Sequence, residues 1–257
     1  MKKETNKHIL KIKQLYPDAS EIYRPSVLGC IHDIYIVKKD NDKFVFRFSD
    51  EQTAIHNLYV SRLLLKNSIP VPNIEIYNMD SEYCEIYPFI EGKTLHERLQ
   101  EGLNGTKLDT VYRQLFCIAH KISQLPYDDN TQICVPWTTK WITRIFNVLN
   151  PKSQELCHYD LYAKNVILDE ADNICALIDL DAVTNISLRF SFMMIMRDAI
   201  IYGYDIDKLK KISTEFKQTY GIISVNTQLK IYTGLKKLFK SVFNDYMRKQ
   251  LLKIKVK

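Results

Sequence analysis

Apolar and polar residues alternate from Ile31 to Lys38 and again from Lys43 to Phe48, with the polar run Lys39-Asp40-Asn41-Asp42 between them. Period-two alternation on both sides of a short turn-forming run predicts a hairpin of two strands. Ala54, Ile55, Leu58, Tyr59, Leu63 and Leu65 follow at helical spacing, and Ile69-Pro70-Val71-Pro72 stops them. Ile74 to Tyr77 and Tyr83 to Tyr87 read as two more strands, which makes the first part of the chain a hairpin-helix-hairpin unit. The pattern breaks at Tyr87-Pro88-Phe89-Ile90-Glu91-Gly92. Beyond it the apolar spacing is mostly helical, near 94–101, 108–123, 137–149, 188–202, 206–220 and 227–252, and short β-like runs return only around 155–179. The expected fold class is α+β, with a small N-terminal antiparallel-sheet lobe carrying one helix and a larger, mostly helical C-terminal lobe, and no internal repeat.

Composition changes this picture little. With 257 residues, 46% of them apolar, the chain is long enough for a full core, and its ordinary 26% charged content gives no case for a disordered or fibrous class. The first residues lack the apolar run of a signal peptide, and no segment offers the roughly 18 apolar residues of a membrane span. A cytoplasmic protein without membrane insertion is expected. Six cysteines, at 30, 84, 117, 134, 157 and 175, contain no Cys-x-x-Cys pair and read as reduced thiols. The formal charge of +6 is concentrated at the end, where Lys236 to Lys257 holds eight Lys/Arg against the single acid Asp245. Leu235, Leu238, Phe239, Val242, Phe243 and Tyr246 form one apolar stripe there, so the segment reads as a helix with a solvated basic face, and no nucleic-acid partner is expected.

The chemistry lies in His158-Tyr159-Asp160-Leu161-Tyr162-Ala163-Lys164-Asn165-Val166-Ile167-Leu168 and, after the turn Asp169-Glu170-Ala171-Asp172-Asn173, in Ile178-Asp179-Leu180-Asp181. Two apolar strands joined by a tight polar turn hold Asn165 and Asp179 at neighbouring strand ends, where an amide oxygen and a carboxylate can meet at one cation. Phosphoryl transfer needs an acid facing the substrate hydroxyl, oxygen ligands for Mg²⁺ and a cation on the nucleotide phosphates. Asp160 suits the first role, Asn165 and Asp179 the second, and His158 is better placed to brace the loop than to act as a base. Asp181 is read either as steadying the metal site or as a partner for the backbone.

The spacing His-x-Asp-x-x-x-x-Asn, followed by an aspartate at the end of the next apolar run, resembles the aminoglycoside phosphotransferase and choline kinase superfamily, relatives of the protein kinases. The resemblance runs from about Val27 to Tyr220 and is most specific in this loop. It implies a two-lobed kinase-like fold with an N-terminal nucleotide lobe at 1–87, a hinge at 88–92, and a catalytic and substrate lobe at 93–257. It also implies transfer of the γ-phosphate of ATP or GTP, with Mg²⁺, to a hydroxyl of a small molecule.

On the nucleotide side, the resemblance assigns Phe44-Val45-Phe46-Arg47-Phe48 to the strand bearing the phosphate-binding cation. Val45 would roof the base and Arg47 would reach the α and β phosphates. The family orients this cation with a glutamate on the following helix, but the matching positions are His56 and Asn57. Glu51 lies too early, which leaves Asn57 as only a neutral hydrogen-bond partner. The phosphate loop Val27 to Asp33 carries one glycine, so backbone amides near Gly29 and Cys30 are the expected phosphate contacts. At the hinge Pro88 has no N–H, so Tyr87 C=O and Phe89 N–H are the expected base-reading pair.

The acceptor is less legible. Trp137, Trp141, Tyr162, Asp198, Tyr202 and Tyr204 are candidates for an acidic, aromatic pocket near Asp160, suited to an amine or choline-like molecule. Three readings follow: a metabolite, sugar or amino-alcohol kinase; an aminoglycoside antibiotic phosphotransferase, which the basic stretch from Lys208 to Lys257 disfavours; and a nucleotide-binding pseudokinase serving as an interaction module, suggested by the absent glutamate and the single-glycine loop.

Overall fold

Helix α1 (Lys2–Leu15) opens the chain in the computed structural model, which describes residues 2–25, 32–79, 82–126, 155–186 and 188–220. A three-residue strand, β1 (Glu21–Tyr23), follows at a sheet edge, and then the expected hairpin, β2 (Asp33–Lys39) and β3 (Asp42–Ser49). Lys39 pairs with Asp42, so the connection is two residues long, and Asp40 takes the positive φ of 54° that such a tight turn requires.

Helix α2 (Glu51–Lys66) starts where Asp50 accepts a hydrogen bond from the Thr53 amide, at 3.0 Å. It ends where Ser68 turns to φ 56° just before Ile69-Pro70. Strands β4 (Glu75–Met79) and β5 (Glu82–Pro88) complete an antiparallel five-stranded sheet in the order β1-β2-β3-β5-β4.

Strand alternation gives this sheet two different faces. One carries Tyr35, Val37, Phe46, Phe48, Cys84 and Ile86, buried together with Ile12 of α1. Helix α1 is fixed there by polar contacts as well: Lys11 Nζ donates to Glu82 at 2.8 Å and to the Met79 carbonyl at 2.7 Å, and His8 stacks on Phe48 at 4.0 Å. The Lys11 hydrogen bond holds the Glu82 carboxyl down to about 2. The other face carries Val45, Arg47 and Ser49 of β3 opposite Tyr87, Glu85 and Tyr83 of β5. The buried pair Arg47 and Glu85 therefore lies on the face turned away from α1.

After residues 89–92 come β6 (Lys93–Thr94), α3 (Leu95–Gln100) and α4 (Gly105–Ser123). Gly92 adopts φ 148°, and a Cβ there would lie 2.4 Å from the Leu168 carbonyl oxygen, so only glycine fits the crossing. Thr94 and Glu97 form a reciprocal capping box on α3. The 155–186 stretch folds as β7 (Glu155–His158), β8 (Val166–Leu168), β9 (Ile174–Leu177) and β10 (Val183–Ile186), giving sheets β10-β7 and β6-β8-β9. Helices α5 (Leu188–Ile201) and α6 (Ile206–Tyr220) follow at the positions the periodicity predicts. The helices expected at 137–149 and 227–252 lie outside the described residues.

The chain divides into two units, Met1–Ser191 and Phe192–Lys257, with the boundary inside α5. The expected hinge at 88–92 falls within the first unit. In the second, Phe192 and Phe216 pack with ring centroids 6.4 Å apart, beside the buried Ile195, Leu209 and Ile212. Among the described residues no helix is long and apolar enough to cross a membrane.

Candidate active site

Strand β7 ends at His158, and the chain turns through Asp160 into a short 3-10 turn, Ala163–Asn165, that leads into β8. The Tyr162 amide donates to the Asp160 carbonyl at 3.0 Å and the Asn165 amide to the Tyr162 carbonyl at 2.9 Å, which closes the loop on itself. Asn165 Nδ2 donates to the Asp160 carbonyl at 3.0 Å and faces the Asp160 carboxylate at 3.4 Å. With its nitrogen committed to Asp160, the amide keeps its oxygen for a cation. Val166 pairs with Leu177, and the Ile178 amide donates to the Asn165 carbonyl at 3.0 Å. The strand-turn-strand frame thus ties the backbone beside Asp179 to the backbone of Asn165.

Asp179 sits at φ 67° and ψ 56°, a left-handed conformation that costs a non-glycine residue roughly 1–2 kcal/mol. Its two neighbours are held in place. His158 Nε2 donates to the Ile178 carbonyl at 3.1 Å, and His56 Nε2, from α2, donates to the Leu180 carbonyl at 3.1 Å. Burial pushes both imidazoles down to about 4, so each is neutral, with its proton on Nε2. His158 is fully buried and serves the backbone.

The carboxylates of Asp179 and Asp181 have opposite character. Asp179 exposes its surface to solvent while being crowded by protein; loss of hydration and the adjacent Asp181 carboxylate push it up to about 8. The like-charged neighbour is the firmer of these causes, because the side chain still meets water. Burial works against ionisation of Asp181, but His32 and Arg47 outweigh it and hold that carboxyl below its ordinary range. Asp181 Oδ2 accepts from Arg47 Nη2 at 2.7 Å and from His32 Nε2 at 3.3 Å, while its buried Oδ1 meets no hydrogen-bond donor among the described residues.

Arg47 is buried on the charged face of the sheet, and its other arm, Nη1, donates to Glu85 Oε1 at 2.6 Å. Burial opposes its charge, yet the Glu85 and Asp181 carboxylates raise its pKa. Glu85 is the cross-strand partner of Arg47 in the β3–β5 register. Its Oε1 also accepts from Ser49 Oγ at 2.8 Å, and its Oε2 accepts from Asn57 Nδ2 at 2.9 Å. Asn57 therefore meets a carboxylate in place of the cation. Glu51 accepts instead from the Tyr83 hydroxyl, at 2.6 Å.

Glu85 and Ser49 escape the sequence reading, which names His56 only as a position matching the family's glutamate and His32 only within the phosphate loop. A signal for Glu85 was available, since an acid inside the apolar run Tyr83 to Tyr87 is out of place unless paired.

The hinge amide expected to face a base is engaged elsewhere: the Phe89 N–H donates to the Lys43 carbonyl at 2.8 Å. Because Phe44 and Pro88 are registered opposite each other, this bond makes Val45–Tyr87 a hydrogen-bonded pair, which puts the Tyr87 C=O on the same β3-facing edge. Gly29, Cys30, Trp137 and Trp141 lie outside the described residues. Tyr162 is half-buried in the Asp160 loop. Asp198, Tyr202 and Tyr204 belong to the second unit, where Asp198 and Tyr204 are buried, and where burial and Asp198 push the Tyr202 hydroxyl up to about 12.

Among the described residues, no group of three or more His, Cys, Asp or Glu side chains could hold a metal. What is present is one amide oxygen, one crowded carboxylate and the unpartnered oxygen of Asp181. That set fits Mg²⁺, which takes one or two protein carboxylates and completes its shell with waters and phosphate oxygens.

This fold is shared with solved phosphotransferases. An aminoglycoside 3'-phosphotransferase of type VIII is 15% identical, over 88% of this chain and 96% of its own, with a TM-score of 0.60. The choline kinase LicA from Streptococcus pneumoniae is 16% identical, over 96% and 92%, with a TM-score of 0.60. A spectinomycin phosphotransferase solved with ADP and spectinomycin is 14% identical, over 87% and 82%, with a TM-score of 0.59. No family model and no curated protein matches the sequence. The chain has the fold of the aminoglycoside phosphotransferase and choline kinase superfamily.

Proposed function

We propose that this chain transfers the γ-phosphate of ATP or GTP to a hydroxyl of a small molecule, with residues 1–87 as the nucleotide lobe, 88–92 as the hinge and 93–257 as the catalytic lobe. The observation that carries this reading is the assembly of Asp160, Asn165, Asp179 and Arg47 on one frame. A general acid–base carboxylate, an amide oxygen, a second carboxylate and a guanidinium are the groups that in-line phosphoryl transfer uses. The choline, aminoglycoside and spectinomycin enzymes of the same fold support a small-molecule acceptor.

Asp160 takes the proton of the acceptor hydroxyl as that oxygen attacks phosphorus. Asn165 and Asp179 would hold Mg²⁺, which when bound neutralises charge on the phosphates. Arg47 binds the phosphates through its planar fork, and Val45 covers the base. The base-reading pair on this account is Pro88 C=O with Ile90 N–H, because in extended backbone the carbonyl of one residue and the amide two residues on share an edge, and the Tyr87–Phe89 edge faces β3.

The test is Mg²⁺-dependent release of ADP or GDP by wild-type and Asp160→Asn protein across amino alcohols, sugars, nucleosides and aminoglycosides. Acceptor-stimulated turnover should fall by more than about a hundredfold in the variant, with nucleotide binding kept. Wild-type turnover in Asp160→Asn would remove that residue from the mechanism. Silence across the panel with nucleotide bound would favour the pseudokinase.

A further inference from the structure

We infer that Glu85 is the positioning residue that aims Arg47 at the nucleotide phosphates, a role the resemblance reserves for a glutamate on α2. The inference rests on the phosphotransferase reading and adds to it a residue that the motif does not contain.

Three donors fix the Glu85 carboxylate: Arg47 Nη1 at 2.6 Å, Ser49 Oγ at 2.8 Å and Asn57 Nδ2 at 2.9 Å. They come from two positions of β3 and one of α2, so the carboxylate is anchored to both elements that frame the charged face of the sheet. Glu85 is also 1% exposed, and a carboxylate so buried persists only when paired. Asn57 stands on α2 near the position where the related enzymes carry their glutamate, and it reaches Glu85. The negative charge has moved from the helix to the adjacent strand, and the helix supplies a neutral donor to hold it.

The second arm of Arg47 is the exchangeable one. Asp181 offers it a single oxygen shared with His32, and the other oxygen of Asp181 meets no donor among the described residues. A phosphate competing for the guanidinium displaces Asp181 and leaves the Glu85 contact in place. Glu85 thereby keeps Arg47 charged and extended along β3 in both states.

The experiment measures affinity for MgADP and MgGDP by calorimetry, with thermal stability alongside, for wild type, Glu85→Gln, and the double variant Glu85→Gln with Asn57→Glu. Glu85→Gln, nearly isosteric, should weaken nucleotide binding by about tenfold, the loss expected of one charged hydrogen bond. Restoring a carboxylate from the helix in the double variant should recover most of that loss. A purely structural ion pair gives a different result: lower stability in both variants and no recovery of affinity on moving the charge, which would overturn the assignment. Unchanged affinity in Glu85→Gln would overturn it too. A wild-type protein that binds neither nucleotide would instead sink the phosphotransferase reading itself, so the two failures are distinguishable.

Discussion

His158 and His56 hold the two carbonyls on either side of Asp179, the first bonded to Ile178 and the second to Leu180, each at 3.1 Å. One histidine comes from the end of β7 and the other from α2, so the left-handed turn at Asp179 is clamped from two elements far apart in sequence. A strained residue persists only where its surroundings over-determine it. Here two neutral imidazoles do so without adding charge to a site already crowded with carboxylates.

The clamp has a pH signature. Both folded-state histidines lie near 4, below the ordinary 6.5, so the unfolded chain binds more protons between those values. Their stabilisation is complete above about pH 6.5 and is lost as the pH falls towards 4. His158→Gln, which keeps a donor without a titrating ring, should flatten the slope of unfolding free energy against pH by about one proton, ~1.4 kcal/mol per pH unit. Urea unfolding of both proteins from pH 4 to 7 measures this, and identical slopes would exclude the clamp as described.

Gly92 marks where the hinge segment crosses the end of β8. Its φ of 148° and the 2.4 Å approach of a would-be Cβ to the Leu168 carbonyl leave no room for alanine. Gly92→Ala should cost about 1–3 kcal/mol, read as a lower urea midpoint with an unchanged m-value. A variant as stable as wild type would mean that the crossing relaxes freely.

Much of this architecture is legible in the sequence, because the signals are local. The 31–48 hairpin, the helix stopped at Ile69-Pro70 and the helices at 188 and 206 follow from periodicity and turn residues. The frame joining Asn165 to Asp179 follows from two apolar runs and a polar turn. Glu85 stands out as an acid in an apolar run, but its partner Arg47 was not legible, because the β3–β5 register sets it and no local pattern encodes that register. The same register turns the Tyr87–Phe89 edge towards β3, which is why Pro88 and Ile90 are proposed as the base-reading pair. The contact of His56 was not legible because only the packing of α2 brings it to Leu180.

That register can be tested with proline, which deletes one amide. Phe89→Pro removes the donor to the Lys43 carbonyl and should lower stability by about 1 kcal/mol or more. Ile90→Pro removes the amide assigned to the base and should spare stability while weakening nucleotide binding by about tenfold. Calorimetric binding and thermal unfolding of the two variants separate these effects. The reverse pattern would return the base to Phe89.

Asp179 and Asp160 differ in what their removal should spare. Asparagine tolerates the left-handed conformation as aspartate does, so Asp179→Asn keeps the local backbone. It also replaces a carboxyl that burial and Asp181 push up to about 8, so little charge is lost at neutral pH and stability without metal should not fall. What it loses is a ligand for the cation: the ratio of nucleotide affinities with and without Mg²⁺ should drop towards one. In Asp160→Asn the same ratio should stay at its wild-type value while turnover collapses, because the proposed role of that carboxylate is at the acceptor hydroxyl. Nucleotide titrations of both variants with Mg²⁺ and with EDTA decide the matter. An Asp179→Asn protein that keeps the full Mg²⁺ dependence would transfer the metal to Asp181, whose buried Oδ1 meets no donor among the described residues.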